Sequence, residues 1–229
     1  LYNSGDKTLK DIFFKATIHA IPFNTYDIDN IFFIQGNYLF KKDQKFINLK
    51  EIQIHGDHNY SNIISAATCS KLLNIPDSYI KTTIKNFKGV EHRQEHVLIK
   101  NGVNYINDSK STNINSVIVA IKTFKQPLIV LLGGYNKGSN FEQLLPVIKT
   151  RTIKYFICYG DAGELIESAL GDAVRSFLEI DLSSAVLKAQ TLAIPGDTVL
   201  LSPGCASFDE FNNYEDRGNF FKKLIVDKN

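Results

Sequence analysis

The chain has 229 residues, and its 26 basic and 24 acidic side chains leave a net charge of +2, which gives no support to nucleic-acid binding through a strong positive field. A hydrophobic fraction of 44% and a charged fraction of 22% argue against global disorder. No apolar run reaches the roughly 18 residues of a membrane-spanning helix, and three dispersed cysteines argue against a disulfide framework or a structural zinc site. We therefore expect a cytoplasmic protein.

The first third of the chain predicts short strands followed by two helices. Residues 9–21 and 31–40 alternate apolar and polar side chains in short runs, which favours strands or edge elements. Apolar residues recur at helical spacing from Asn62 onwards, and Pro76 interrupts that run. A second helix is predicted after Pro76, and Gly89 ends it.

From about residue 97 the pattern becomes a regular alternation of strand, loop and helix. The strands are predicted at residues 103–106, 128–132, 155–159, 175–178 and 198–201, and the helices at residues 115–124, 141–148, 162–169, 183–193 and 219–226. The unbroken apolar run at 128–132 is typical of a buried parallel strand. The alternation predicts an α/β fold, Rossmann-like, with a mostly parallel sheet and helices on both faces. A boundary near residue 90 divides the chain into domains 1–90 and 91–229.

Polar clusters follow three of the predicted strands, at residues 108–113, 133–138 and 202–209. Ligands of open α/β sheets bind beyond the carboxyl ends of the strands. We therefore expect the three clusters to lie at one edge of one sheet and to form a single site.

Each cluster also has a purely structural interpretation. The two glycines before Lys137 suit an anion, but the segment lacks the G-x-x-x-x-G-K-[ST] sequence, and a turn with a surface lysine is an equal alternative. Helix capping explains part of the segment that holds Asp108 and Lys110, and again the two interpretations are equal. For Cys205 an inert, partly buried thiol is favoured over a nucleophile.

Two further motifs carry amide and guanidinium groups. Asn59 and Asn62 stand three residues apart at a helix start, so both amides lie on one face and suit the edge of a heterocycle such as adenine. A simple N-cap is the alternative. Arg93 lies at the presumed domain boundary, where it suits a phosphate or a ribose, and a solvated charged turn is the alternative.

Taken together and in order, these motifs resemble the Mur ligases. The matching sequences are H-N-x-x-N at 58–62, H-R at 92–93, N-D-S-K-x-T-N at 107–113, L-L-G-G-x-x-K-G at 131–138 and L-S-P-x-C-A-S-x-D-x-F at 201–211. Sibling ligases typically carry D-Y-A-H-x-P at the third of these, which favours the branch that adds D-glutamate. The resemblance implies an enzyme of peptidoglycan synthesis that joins D-glutamate to UDP-N-acetylmuramoyl-L-alanine through an acyl phosphate.

The resemblance also implies roles for single residues. Asn59 and Asn62 match adenine contacts, and Arg93 matches a contact to the nucleotide ribose or phosphate. Lys110 matches a lysine near the reacting phosphate, and it forms the implied catalytic pair with Asp108, which also matches a nucleotide contact. Thr112, Lys137 and Ser207 match contacts to the D-glutamate carboxylates. The other implied substrate contacts are His92 and Tyr214, of which the second stands where the family commonly has Phe.

The implied cofactors are ATP and Mg2+. The family's phosphate-binding loop and main metal ligands are expected upstream of Leu1, so residues 1–90 are interpreted as the back half of an ATPase domain and residues 91–229 as a complete C-terminal domain. Small-molecule substrates, no nucleic acid, no membrane span and a monomeric state are expected. Two alternatives stay open: another Mur ligase or a folylpolyglutamate synthase-type ligase, and a non-catalytic α/β module that binds a nucleotide or anion.

Overall fold

The computed structural model describes residues 1–15, 20–54 and 56–226, and the chain forms two compact units, Leu1–Gly89 and Val90–Asn229. The elements of the first unit are β1 (Tyr2–Asn3), α1 (Lys7–Lys15), β2 (Pro22–Phe23), β3 (Phe32–Gln35), β4 (Tyr38–Lys41), β5 (Gln44–Asn48), α2 (Asp57–Leu72) and α3 (Asp77–Asn86). Strands β3, β4 and β5 form an antiparallel sheet, and β1 pairs with β2 in parallel. Helices α2 and α3 supply Ile64 and Ile80 to the core beneath β3 and β4.

The sequence predictions for this unit are partly correct. The two helices are confirmed as α2 and α3, and the strands at 31–40 are confirmed as β3 and β4. The strand predicted at 9–21 is wrong over its first half, because Leu9, Ile12 and Phe13 follow helical spacing and lie in α1. Residues 16–19 of that prediction lie outside the described part of the chain.

The second unit alternates strands and helices around one sheet. Its elements are β6 (Glu95–Lys100), β7 (Val103–Asn107), α4 (Ile114–Thr123), β8 (Leu128–Gly133), α5 (Leu145–Ile148), β9 (Ile153–Tyr159), α6 (Gly163–Leu170), β10 (Ser176–Glu179), α7 (Leu182–Leu192), β11 (Thr198–Gly204) and α8 (Tyr214–Val226). The strand order is β10-β9-β8-β11-β7-β6, and every pair is parallel except β6 with β7. The predicted mostly parallel α/β sheet is confirmed.

Helices cover both faces of this sheet, which explains the unbroken apolar strands. Along β8, Val130 and Leu132 pack on the side of α4 and α6, whereas Ile129 and Leu131 pack on the side of α7 and α8. A strand buried on both faces has no polar face to show in its sequence. Among the described residues, none of the helices combines the length and apolar character that crossing a bilayer requires.

The antiparallel edge strand β6 was not predicted. It joins β7 through Asn101 and Gly102, which have φ angles of 53° and 75°. Asn-Gly is the strongest short signal for a tight hairpin, because both central residues of that turn need positive φ. The hairpin signal was therefore present in the sequence, but the half-exposed strand beside it gave a weak pattern.

Candidate active site

The loops that follow β7, β8 and β11 lie side by side at the carboxyl edge of the second unit's sheet, because β11 lies between β7 and β8. The N–H of Gly204 donates to the carbonyl of Ser111 at 2.8 Å, which joins the first and third loops. Tyr135 and Ala206 exchange two backbone hydrogen bonds of 2.9 and 3.0 Å, which join the second and third. The structure thus brings the three polar clusters together.

Asp108, the first residue after β7, is buried and serves as the centre of a hydrogen-bond network. Its carboxylate accepts from the hydroxyls of Ser111 at 2.5 Å and Ser202 at 2.9 Å, and from the N–H of Gln94 at 3.1 Å. Burial raises the pKa of Asp108 to about 6, and these hydrogen bonds and nearby Arg93 limit the rise. With 1% of its surface exposed, the side chain faces the protein, and it fixes the loop rather than reaching into solvent.

Lys110 lies further along the same loop and is held by Tyr214, the first residue of α8. The Lys110 ammonium donates to the Tyr214 hydroxyl at 3.1 Å and lies 5.0 Å from the centre of its ring. A hydrogen bond from the same hydroxyl lowers the pKa of Glu215. A phenylalanine at position 214 would lack this hydroxyl, so the polar link between Lys110 and Glu215 depends on tyrosine.

His92 is buried, and Arg93 beside it is exposed. The His92 Nδ1 lies 3.0 Å from the Asn107 amide nitrogen, which also donates to the Glu95 carboxylate at 2.9 Å. Because an amide NH2 only donates, Nδ1 accepts, and the ring proton of neutral His92 belongs on Nε2. The His92 ring meets the Tyr214 ring edge-on at 6.0 Å, so this histidine supports the residues around Lys110.

The implied D-glutamate contacts come from three different loops. Lys137 is exposed, with its ammonium 5.6 Å from the centre of the Phe208 ring, while Thr112 is half-buried and Ser207 is buried. Within the described part of the chain, no side-chain hydrogen bond engages these two hydroxyls or the ammonium. The arrangement leaves one fixed cation and two hydroxyl donors for an anionic ligand.

Asn136 shapes the loop that carries Lys137. Its side-chain oxygen accepts from the N–H groups of Gly138 at 3.0 Å and Ser139 at 2.8 Å. Such an Asx turn holds a loop locally without burying it. The ammonium of Lys137 is therefore presented on an exposed but folded arm.

The structure also shows a group that the sequence analysis missed. The guanidinium of Arg217, in α8, is 1% exposed and lies beneath the loops after β7 and β11. An isolated arginine in an amphipathic helix gives no sequence signal that separates it from a surface cation. Cys205, in contrast, fits the inert interpretation, because burial raises its pKa to about 12.

Asn59 and Asn62 lie on α2 of the first unit. The N-cap of α2 is Gly56, which has no side chain with which to cap the helix. The N-cap interpretation of the two asparagines is therefore wrong. Asn59 is half-buried and Asn62 is exposed.

One cluster in the described residues brings together three potential metal-ligating side chains, Glu91, His92 and Glu95. The ammonium of Lys222 binds both glutamates. A hard cation such as Mg2+ prefers oxygen ligands without a competing cation. The cluster does not suit Mg2+.

Comparison with known proteins identifies the family of the second unit. Residues 92–205 match the family described as Mur ligase, glutamate ligase domain. The chain carries a Mur ligase domain. It is 38% identical to the UDP-N-acetylmuramoylalanine–D-glutamate ligase of Christiangramia forsetii over 98% of this chain and 52% of that protein. The chain thus spans about half the length of the curated relatives it matches.

Two solved enzymes share the fold of this chain. The UDP-N-acetylmuramate-alanine ligase of Thermotoga maritima superimposes with a TM-score of 0.62 and 12% identity, covering 83% of this chain and 43% of that one. FolC of E. coli, solved with ADP, superimposes with a TM-score of 0.65 and 14% identity, covering 96% of this chain and 51% of that one. Because the sequence identities are low, these two comparisons show a shared fold and nothing about activity.

Proposed function

We propose that this chain is the C-terminal half of a cytoplasmic ATP-dependent ligase that adds D-glutamate to UDP-N-acetylmuramoyl-L-alanine in peptidoglycan synthesis. The supporting observation is the convergence of Thr112, Lys137 and Ser207 from three loops at one sheet edge. D-Glutamate is a dicarboxylate, and an ammonium with two hydroxyls matches its charge and its acceptor oxygens. The relative named above for sequence similarity is a UDP-N-acetylmuramoylalanine–D-glutamate ligase.

Lys110 is the proposed catalytic cation. In the acyl phosphate route, ATP phosphorylates the substrate carboxylate, and the amine of D-glutamate displaces phosphate to form the amide. Negative charge develops on the phosphate as it leaves, and a fixed ammonium nearby stabilises that charge. We assign Asp108 and His92 to holding the loop around Lys110, and Tyr214 to orienting its ammonium.

ATP is the proposed cofactor, and the side chains present fit part of it. The amides of Asn59 and Asn62 donate and accept as an adenine edge requires, and exposed Arg93 suits a ribose or phosphate. No Mg2+ ligand is proposed among the described residues, because Lys222 already neutralises the cluster of Glu91 and Glu95.

Titration of the isotope-labelled chain with D-glutamate tests the amino-acid site. Two charge-assisted hydrogen bonds of roughly 1.5–3 kcal/mol each sum to about 3–6 kcal/mol, which corresponds to a dissociation constant between about 6 mM and about 40 μM. We expect amide shifts at Thr112, Lys137 and Ser207 with D-glutamate, and much weaker shifts with L-glutamate. Saturating shifts elsewhere, or equal affinity for both enantiomers, would contradict the D-glutamate assignment and favour another amino acid.

A hybrid enzyme tests for ligase activity against the alternative of a non-catalytic binding module. The matched half of the C. forsetii ligase is replaced by this chain, which aligns with 52% of that protein. We expect phosphate release from ATP that depends on both D-glutamate and UDP-N-acetylmuramoyl-L-alanine. A hybrid that binds D-glutamate and ATP but releases no phosphate would favour the module.

A further inference from the structure

The buried guanidinium of Arg217 joins two loops of the candidate active site. Its Nε donates to the Ser109 hydroxyl at 3.0 Å, and Nη2 donates to the Ser109 carbonyl at 2.9 Å. Nη2 also donates to the Cys205 carbonyl, and Nη1 donates to the Ala206 carbonyl, each at 3.1 Å. Ser109 follows β7, whereas Cys205 and Ala206 follow β11.

These contacts use four of the five N–H groups that a guanidinium carries. The acceptors are three backbone carbonyls and one hydroxyl, and Arg217 forms no ion pair with a carboxylate among the residues the structure describes. A buried charge is costly unless hydrogen bonds or a counter-charge compensate it. Among the described residues, the two loops provide the acceptors for all four of these hydrogen bonds, so the relative position of the loops depends on the arginine.

The joined loops carry implied substrate contacts directly beside their arginine contacts. Thr112 and Lys110 follow Ser109 within three residues, and Ser207 follows Ala206 directly. The third loop is also close, because a Cβ built on Gly134 would lie 3.1 Å from the Arg217 Nη1. A planar fork with fixed donor directions sets both the distance and the angle between loops, which a single ammonium cannot do.

We propose that Arg217 is a positioning residue that sets the spacing between Thr112 and Ser207 and thereby the affinity for D-glutamate. The inference rests on the proposed function. Arg217 itself does not touch the ligand, since it lies buried beneath the loops. A displacement of about 1 Å in such contacts lowers the rate of an enzyme reaction by up to about 100-fold. The informative substitution is therefore Arg217→Lys, which keeps the positive charge but removes the planar guanidinium.

The test compares Arg217→Lys with the wild-type chain, and Arg151→Lys is the matched control. Arg151 is exposed, and its side chain donates to the carbonyl of Lys122. Amide spectra first establish that each variant is folded, and D-glutamate is then titrated well below each unfolding temperature. We expect R217K to weaken D-glutamate binding about 10- to 100-fold, and R151K to leave it unchanged.

Affinity measured on folded protein separates positioning from a merely structural role, which lowers only the unfolding temperature. If R217K is less stable but binds D-glutamate as the wild type does, the inference is overturned and the proposed function stands. If the wild type does not bind D-glutamate, both are overturned. Should R217K fail to fold, Ser109→Ala removes the Nε acceptor and keeps the arginine. It should then weaken D-glutamate binding in the same direction, and unchanged affinity in S109A would likewise overturn the inference.

Discussion

The proposed ligand contacts lie in two regions at the same sheet edge, of which one is a buried polar network and the other an exposed loop. The loops after β7 and β11 contain a buried polar network around Asp108 and Arg217, both 1% exposed. The loop after β8 holds Lys137 on an exposed arm that an Asx turn shapes. Buried polar groups are strongly stabilising when every partner is present and costly when one is lost.

The comparison teaches that proximity to one ligand does not make residues equivalent. In the buried network, stability and ligand position depend on the same hydrogen bonds, so a substitution changes both. On the exposed arm, a side chain contributes to binding with little effect on folding. Substitutions in the two settings should therefore differ in whether stability changes together with binding.

The largest loss of stability is expected at Gly133, the buried last residue of β8, from which the exposed loop with Lys137 continues. A Cβ at Gly133 would lie 2.1 Å from the Tyr159 carbonyl oxygen in β9, and a backbone atom cannot move aside cheaply. We expect Gly133→Ala to destabilise the second unit by about 3 kcal/mol or more. Denaturation followed through amide resonances of this unit measures it.

Gly138→Ala is the matched control for that substitution. Its Cβ would meet nothing within 4 Å, and its φ of +88° adds only local strain. A cost of about 1–2 kcal/mol is expected. If both substitutions lowered the free energy of unfolding equally, the contrast between the buried end of β8 and the exposed loop after it would be wrong.

The next effect concerns the pH dependence of stability through Asp108. Its pKa is raised from 3.8 to about 6 in the folded chain, so the native state holds the proton more tightly than the unfolded state does. Stability from this group is therefore highest below about pH 4 and falls as the pH rises to about 6, by about 3 kcal/mol.

Asp108→Asn should remove that fall, because asparagine does not titrate. The free energy of unfolding of both proteins is measured from pH 4 to pH 7, and the difference between the two curves isolates Asp108. Parallel curves would show that burial does not perturb this carboxyl group.

On the exposed arm, Lys137→Ala should weaken D-glutamate binding about 10- to 150-fold, which corresponds to one charge-assisted hydrogen bond of roughly 1.5–3 kcal/mol. Binding of ATP and thermal stability should stay nearly unchanged, because the side chain is exposed. Titration with each ligand provides the measurement, and exposed Lys149→Ala is the control. A variant impaired only toward ATP would assign Lys137 to the other ligand.

The smallest effect is expected at Asn136. Asn136→Ala removes the acceptor of two backbone hydrogen bonds in an exposed loop, which should cost less than about 1 kcal/mol in stability. Looser placement of Lys137 should weaken D-glutamate binding about fivefold. Asn136→Ser keeps a neutral side-chain acceptor and should restore part of the affinity in the same titration, whereas an alanine variant with full affinity would show that the Asx turn is dispensable.

Local patterns in the sequence were sufficient to predict the α/β architecture of the second unit. The apolar run of β8 predicts a buried strand, and the helix predicted at 183–193 is α7, which starts after a capping box of Asp181 and Ser184. The shared position of the three polar clusters also followed from the sequence, since the carboxyl ends of parallel strands such as β7, β8 and β11 lie at one edge of the sheet. These features depend on neighbours in sequence or on general rules of chirality and burial.

Tertiary structure alone decided which polar residues are buried and what they contact. Asp108 and Lys137 stand in equally polar segments, yet Asp108 meets Ser202 from 94 residues away and Lys137 stays in solvent. Arg217 reaches Ser109 across 108 residues. The sequence thus determined the sheet and the family of motifs at its edge, whereas the roles of Asp108 and Arg217 as buried network centres depended on contacts between distant segments, which periodicity and spacing do not encode.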